Sequence, residues 1–155
     1  MAPVKEPWNY KESFVTSLQQ MPENVFGFVY KIHNLKENKS YIGKKVVAFN
    51  RKKKLTKKEL QEQTGPGRKS LYKIVTSESD WATYFGSNKL LLEDIKKYGQ
   101  EHFRREILEF AFTKKHLTYL ELKYQCVLGV LESPQHFYND NILGKFFTRD
   151  LEPIK

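Results

Sequence analysis

Apolar and polar residues alternate at every second position over 25–33, VFGFVYKIH, which sets Phe26, Phe28, Tyr30 and Ile32 on one side of an extended chain. The pattern resumes at 38–43, NKSYIG, after the polar NLKE of 34–37, so the two stretches read as a β-hairpin. With those four residues as the loop, Ile32 faces Lys39, Lys31 faces Ser40 and Tyr30 faces Tyr41. Two phenols then stand on the apolar face about 5 Å apart. Buried phenol hydroxyls need polar partners. From the hairpin alone the pair reads as two core tyrosines, or else as part of a polar site.

A third strand is expected at 102–110, HFRREILEF. One helix is expected at Asn88–Tyr98, after the Gly-Ser break of DWATYFGS and closed by Gly99. Another is expected at 114–131, with Thr113 as its N-cap and Ser133-Pro134 near its end. Residues 1–23 read as an N-terminal extension with a short helix around Lys11–Gln20, between Pro7 and Pro22, and 143–155 as a tail carrying Phe146-Phe147. A long connection at 46–79 holds a short helix at Thr56–Gln63 and a turn at Gly65-Pro66-Gly67. Connections of this length are uncommon in a compact domain, and are usually functional or disordered. The expected fold is α+β: a small three-stranded antiparallel sheet flanked by helices, with a long basic insertion after the second strand.

Charge changes this picture. The chain holds 27 Lys and Arg against 18 Asp and Glu. Residues 44–73 alone hold eleven basic residues, opposed only by Glu59 and Glu62, so this segment carries the whole net excess of +9. They are Lys44, Lys45, Arg51, Lys52, Lys53, Lys54, Lys57, Lys58, Arg68, Lys69 and Lys73. Such a block is either a solvated loop or the footprint of a polyanion site. Nucleic acid is favoured over a membrane, because the segment has no apolar face to insert into lipid. At 155 residues the chain reads as one domain. It lacks the ~20-residue apolar run of a membrane span, and its start, MAPVKEPWNYKESF, has no hydrophobic stretch of signal-peptide type. The single cysteine, Cys126, is expected to pack in the core of a protein of a reducing cytoplasm.

In the last helix, Leu117, Glu121, Tyr124, Leu128 and Leu131 fall on one stripe, with Glu121 its only acid. A carboxylate on a face that packs on a sheet needs a cation or a donor. Glu121 is then either a boundary residue paired with a lysine or a metal ligand, and two sheet tyrosines beside a basic strand end favour the ligand. The four histidines show no metal-ligand spacing.

These residues in this order resemble the GIY-YIG nuclease superfamily, and within it the small free-standing homing-type endonucleases of bacteriophages often called Seg-like. The likeness spans about 25–142. Phe28-Val29-Tyr30 matches the first triplet and Tyr41-Ile42-Gly43 the second. DWATYFGS, Lys97-Tyr98-Gly99, Phe103, Glu106-Ile107-Leu108 and Tyr138-Asn139 match further along, and Tyr119-Leu120-Glu121 holds the position of the metal-binding Glu. The chain departs from the pattern at Phe28, where the family name has Gly, and in its catalytic Arg. Arg51 has a suitable spacing but no helical surroundings. Lys45 shares the parity of Tyr41 and Gly43 and is preferred in its place, ahead of Lys44 and Arg51.

The resemblance implies a nuclease domain over 24–142 that hydrolyses phosphodiester bonds of double-stranded DNA. Glu121 would hold one Mg²⁺, or Mn²⁺ as a substitute, with no small-molecule cofactor. Tyr30 would be the general base, with Lys45 lowering its pKa from the ordinary ~10 or orienting the water. Tyr41 would position water or phosphate, and Asn139 would hydrogen-bond to Tyr30 or to backbone near it. Lys52, Lys53, Lys54, Lys57, Lys58, Arg68, Lys69 and Lys73, in the insertion at 45–80, would grip DNA phosphates. The same residues would serve a restriction-type or host-DNA-degrading nuclease. A non-catalytic basic binding module is the rival from another class. The oligomeric state stays open, and a phage-encoded protein would act in the cytoplasm of its host bacterium. Trp81 and Tyr84 are expected in the core.

Overall fold

The structure, a computed structural model, describes residues 6–151, except the side chain of Arg51. The expected extension and tail fall partly on 1–5 and 152–155, which lie outside the described residues. The fold is mixed α+β, as expected, but the main sheet has five strands rather than three, in the order β2-β1-β7-β3-β4. These are β1 (Trp8–Tyr10), β2 (Ser13–Val15), β3 (Gly27–Asn34), β4 (Lys39–Val46) and β7 (Phe103–Ala111). The expected trio is the antiparallel centre, β7-β3-β4. The N-terminal segment adds the other two strands, with β1 parallel to β7.

That addition corrects the helix expected around Lys11–Gln20. Lys11 and Glu12 have positive φ and make the turn of the β1–β2 hairpin, and only a 3₁₀ turn follows at Leu18–Gln20. Trp8 explains why the segment joins the sheet. It is wholly buried, packs edge-on against Phe28 and Tyr30, and its Nε1 donates to the Trp81 carbonyl at 2.7 Å.

The first half of β3, Gly27–Tyr30, is apolar in both parities and buried on both faces, while Lys31 and His33 are half-buried further along. Phe28, Tyr30 and Ile32 pack with Trp81, Phe85 and Leu91 on one face, where α2 (Lys89–Tyr98) lies. Val29 packs with Ile42, Leu117 and Leu120 on the other, beneath α3 (Lys114–Val127). Thr113 caps α3 through its side chain, as the sequence indicates, while α2 is capped by Asn88, which the sequence pattern places inside the helix after the Gly-Ser break. α3 ends at Val127 rather than 131. Leu128 is exposed, Leu131 is buried from the turn beyond, and Cys126 faces solvent instead of the core.

The connection after β4 is not structureless. β5 (Ala48–Lys54) and β6 (Tyr72–Glu78) pair as a separate antiparallel ribbon, with α1 (Lys57–Gln61) near its tip. Thr56 and Glu59 close a capping box on α1, which accounts for the short helix expected there. Downstream, β8 (Asn141–Ile142) and β9 (Phe146–Phe147) make a small hairpin. Among the described residues no helix is long and apolar enough to cross a membrane.

Candidate active site at the edge of the sheet

Tyr30 pairs with Gly43, not with Tyr41, because the β3–β4 loop is 35–38 and the register moves by two. A shift of two preserves which face each side chain occupies, so Tyr41 still shares the Tyr30 face as a diagonal neighbour, ring centroids 6.2 Å apart. The glycine opposite Tyr30 has a steric cause. A Cβ at Gly43 would lie 2.5 Å from the Tyr30 hydroxyl and 2.9 Å from the Tyr41 ring. On the other side of β3 the register with β7 shifts between Val29 and Tyr30, which leaves Leu108 unpaired as a bulge. Bulges of this kind re-aim side chains beside functional sites.

Tyr84 is the residue that sequence reasoning assigned to the core and the structure brings to the site. Its ring meets Tyr30 edge-on at 5.9 Å, and Lys45 Nζ sits 4.0 Å over its face. The signal was in the sequence: Tyr84 lies in DWATYFGS, three residues after Trp81, and Trp81 alone is the wholly buried one. The turn that carries Tyr84 is held by Arg105, whose guanidinium donates to the carbonyls of Ala82, Tyr84 and Glu6 at 2.9–3.0 Å. Arg105 also lies over Trp8 and Phe85, and burial brings its pKa down to about 10.

The surroundings of Tyr30 oppose its ionisation. Burial raises the phenol well above its ordinary value, and Tyr84 and Tyr41 add to the rise. The lysine expected to lower it is engaged elsewhere: Lys45 Nζ is 2.6 Å from Asp80 Oδ1, a pairing that pulls the exposed Asp80 carboxyl down. Tyr41 is also raised by burial, with Ser87 acting against the rise and Glu121 with it.

Glu121 comes from the opposite side of the sheet. α3 packs on the Val29 face, and Glu121 reaches the edge strand β4 beside Lys44, Oε1 to Nζ 3.9 Å. The two preferred lysines are therefore divided, with Lys45 on the tyrosine face and Lys44 with the carboxylate. Because β4 is the sheet's edge, Glu121 and Tyr41 reach one cavity of about 200 Å³ from the two faces, lined also by Gln125 and Asn139, among others. Burial raises the Glu121 carboxyl, while Lys44 acts against the rise. Asn139 serves the strand edge, its Oδ1 accepting from Ile42 N at 3.0 Å and its Nδ2 donating to Ile42 O at 2.8 Å. Of the two partners expected for Asn139, it takes the backbone one, next to Gly43. Tyr138 stands beside it, donating to Asp94 and accepting from Asn34.

The donors here suit a hard divalent cation. Among the described residues no three His, Cys, Asp or Glu gather as a protein-only metal cage. One carboxylate with neighbouring side-chain oxygens is instead the set that such a cation completes with water and phosphate. Gln125 lines the same cavity, its Oε1 is buried without a hydrogen-bond partner, and its Nε2 donates to Ile42 O. An orphaned buried acceptor is costly, and a cation or its water would satisfy it.

Arg51 lies on β5, paired with Val75 in the ribbon and not on a helix. The ribbon and its tip carry Lys52, Lys53, Lys54, Lys57, Lys58, Arg68, Lys69 and Lys73, all of them exposed except the half-buried Lys73. They sit apart from the tyrosines, but the ribbon's root adjoins them.

Compared with known families, residues 8–142 match a family model described as "Putative endonuclease segE, GIY-YIG domain". The chain belongs to this GIY-YIG family. The match begins at Trp8, so the family's domain takes in the β1–β2 hairpin that the sequence pattern places in an extension. Membership makes the chain a nuclease of the endonuclease kind, acting on DNA and of a type that generally depends on a divalent metal. No curated protein and no solved structure matches the chain.

Proposed function

We propose that this GIY-YIG protein is a Mg²⁺-dependent endonuclease of double-stranded DNA, a phage homing-type enzyme working in the host cytoplasm, with its catalytic centre at the edge of β4. One observation carries the reading: Glu121 passes around the strand edge to share a cavity with Tyr41 and Asn139, beside the orphaned Gln125 acceptor. A DNA-binding module without catalysis has no use for a half-buried carboxylate placed there.

When bound, the cation would neutralise the scissile phosphate and stabilise the leaving 3′ oxygen. Glu121 would hold it, and Mn²⁺ would serve as a substitute. Tyr41 orients the phosphate or a water from the tyrosine face. Tyr30 keeps its proton at neutral pH because burial favours the neutral phenol, so it acts as a donor that positions the attacking water rather than as the base, and the proton that the water loses passes to bulk solvent. Lys45 is released to a phosphate when DNA displaces Asp80, whose side chain is 70% exposed and so is the replaceable half of the pair. Asn139 keeps the outer edge of β4 paired, and Lys44 stays beside the carboxylate. Arg51 and the ribbon lysines, with Arg68 and Lys69, attract and hold the duplex.

The test is cleavage of supercoiled plasmid with Mg²⁺, with Mn²⁺ and with EDTA. Nicked or linear product is expected with either metal and none with EDTA. Cutting in EDTA would sink the metal requirement, and intact plasmid throughout would sink the nuclease.

A further inference from the structure

The β5–β6 ribbon has two unlike faces. On one, Lys73 forms a 2.5 Å ion pair with Glu59 of α1, and Lys73, Val75 and Ser77 are half-buried. The other bears three cross-strand pairs, Asn50 with Thr76, Lys52 with Ile74 and Lys54 with Tyr72, and all six residues are exposed. Ile74 is 72% exposed and Tyr72 53%. Leaving two large apolar groups side by side in water on an isolated ribbon has a cost in folding, and nothing in the fold offsets it.

The chemistry of this face is that of a base-reading surface. Lys52 and Lys54 supply donors suited to guanine edges in the major groove, Asn50 keeps its amide NH₂ as a donor while its Oδ1 accepts from Thr76 Oγ1 at 2.8 Å, and Ile and Thr methyl groups suit the thymine methyl. Outside these six positions the ribbon and its tip remain strongly basic. Apart from Lys52 and Lys54, residues 48–78 hold seven Lys and Arg against Glu59, Glu62 and Glu78. That balance favours a polyanion over a protein or lipid partner. A two-stranded ribbon fits the ~12 Å major groove but not the ~6 Å minor groove. Three pairs spaced two residues apart span about 14 Å, or roughly four base pairs at ~3.4 Å each.

The ribbon also grows out of the catalytic edge. Ser79 N donates to Val47 O at 2.8 Å and Ser79 Oγ to Val46 O at 2.5 Å, which closes its root next to the Lys45–Asp80 pair. We infer that the face formed by Asn50, Lys52, Lys54, Tyr72, Ile74 and Thr76 enters the major groove of duplex DNA and selects sequence there, while the other basic residues hold phosphates. The inference rests on the DNA-cleaving reading above and adds the groove and the reading face to it.

The experiment measures binding of the full chain to a short mixed-sequence duplex in EDTA, so that cleavage plays no part. Three duplexes are compared: unmodified, with bulky 5-substituents on every cytosine to fill the major groove, and coated with netropsin in the minor groove. The filled major groove is expected to weaken binding roughly tenfold or more, on the scale of removing one well-made hydrogen-bonded base pairing to a side chain, whereas netropsin leaves it unchanged. Tyr72→Ser with Ile74→Ser, both exposed and free to change without harming the core, lowers affinity for the unmodified duplex to a similar degree. The double variant keeps every charge, so its salt dependence stays that of the wild type.

Equal binding to the filled and unmodified duplexes overturns the inference, as does a double variant that binds like the wild type. Sedimentation that shows the wild type pairing through this face, and the variant monomeric, makes it a self-association surface and overturns the inference as well. Failure of the chain to bind any duplex would instead defeat the DNA-cleaving reading itself. Metal-dependent plasmid cutting with an insensitive ribbon face defeats only the groove placement.

Discussion

The β3–β4 and β5–β6 hairpins follow one another along the chain and share antiparallel pairing, yet they are held by different forces. Phe28, Val29 and Tyr30 are at most 1% exposed, because apolar residues in both parities meet a layer on each side. In the second hairpin Tyr72 and Ile74 stand in water, and Lys53 pairs directly with Lys73. Like charges opposite one another weaken a ribbon, and an isolated two-stranded hairpin is marginal on its own. The first hairpin can therefore hold side chains to a fraction of an ångström, as chemistry demands. The second is built as a surface whose charge awaits a partner. Breaking each should have opposite consequences.

The largest effect is expected from Glu121→Gln, which should abolish plasmid cleavage while leaving DNA binding intact or tighter, since a negative charge leaves the phosphate's path. Cleavage at the wild-type rate by the purified variant would remove Glu121 from the site.

Tyr30→Phe comes next. Removing a positioned donor typically costs ~10²–10³ in rate, while the ring still packs on Trp8 and Tyr84 and the melting temperature moves little. A pH–rate profile sharpens the assignment. If Tyr30 were the base, wild-type activity would climb with pH toward its raised pKa; a protonated donor instead keeps activity level around neutrality and loses it only as pH rises through that raised value, and the Phe variant shows neither change.

Gly43→Ala tests the precision of the first hairpin. A methyl 2.5 Å from the Tyr30 hydroxyl overpacks a residue already wedged by Trp8 and Tyr84. Overpacking costs about 1–3 kcal/mol, and each kcal/mol lowers the melting temperature by about 2–4 °C in a domain this size. An unchanged melting temperature with full activity would show that the close approach does not matter.

In the second hairpin, replacing Lys52, Lys53, Lys54, Lys57 and Lys58 together by Gln should leave the melting temperature nearly unchanged and weaken binding to every DNA sequence. The log–log salt slope should shrink by ~0.9 for each phosphate that the variant no longer neutralises. Parallel slopes for wild type and variant would reduce the block to a solubilising arm.

The smallest effect concerns the stability linked to Glu121. Burial raises its folded-state pKa, so its contribution to stability is present below the ordinary carboxylate value of ~4.3 and disappears as pH climbs through the raised one. Glu121→Gln should thus melt slightly higher than wild type in mildly alkaline buffer without metal, and at the same temperature near pH ~4. A variant that melts lower at alkaline pH would mean that the pair with Lys44 outweighs the burial.

Period-two alternation exposed β3, β4 and β7, and breaker and capping residues exposed α2 and the start of α3, because these signals are local and depend on a few neighbouring residues. The facing of Tyr30 with Tyr41 is off by two positions, since loop length decides register and four polar residues can close in more than one frame. The parity that governs faces survives that error, which is why Lys45 falls on the tyrosine face as expected. Local pattern fails for the N-terminal segment. A few alternating residues around Trp8 carry little signal, and they become strand only because β7 offers an open edge and Trp8 a place to bury.

By itself the sequence determined the two tyrosines on one face, the lone acid on α3, the basic block and the family likeness. Each of these resides in residue type and spacing. Tertiary structure alone decided that Glu121 and the tyrosines lie on opposite faces, that Glu121 meets Tyr41 around the edge of β4, and that Tyr84, rather than Trp81, stands between Tyr30 and Lys45. It also decided that the basic block is a ribbon with one free face. Those outcomes depend on strand order and on which surfaces remain uncovered after packing, and both are settled by contacts between residues far apart in the chain.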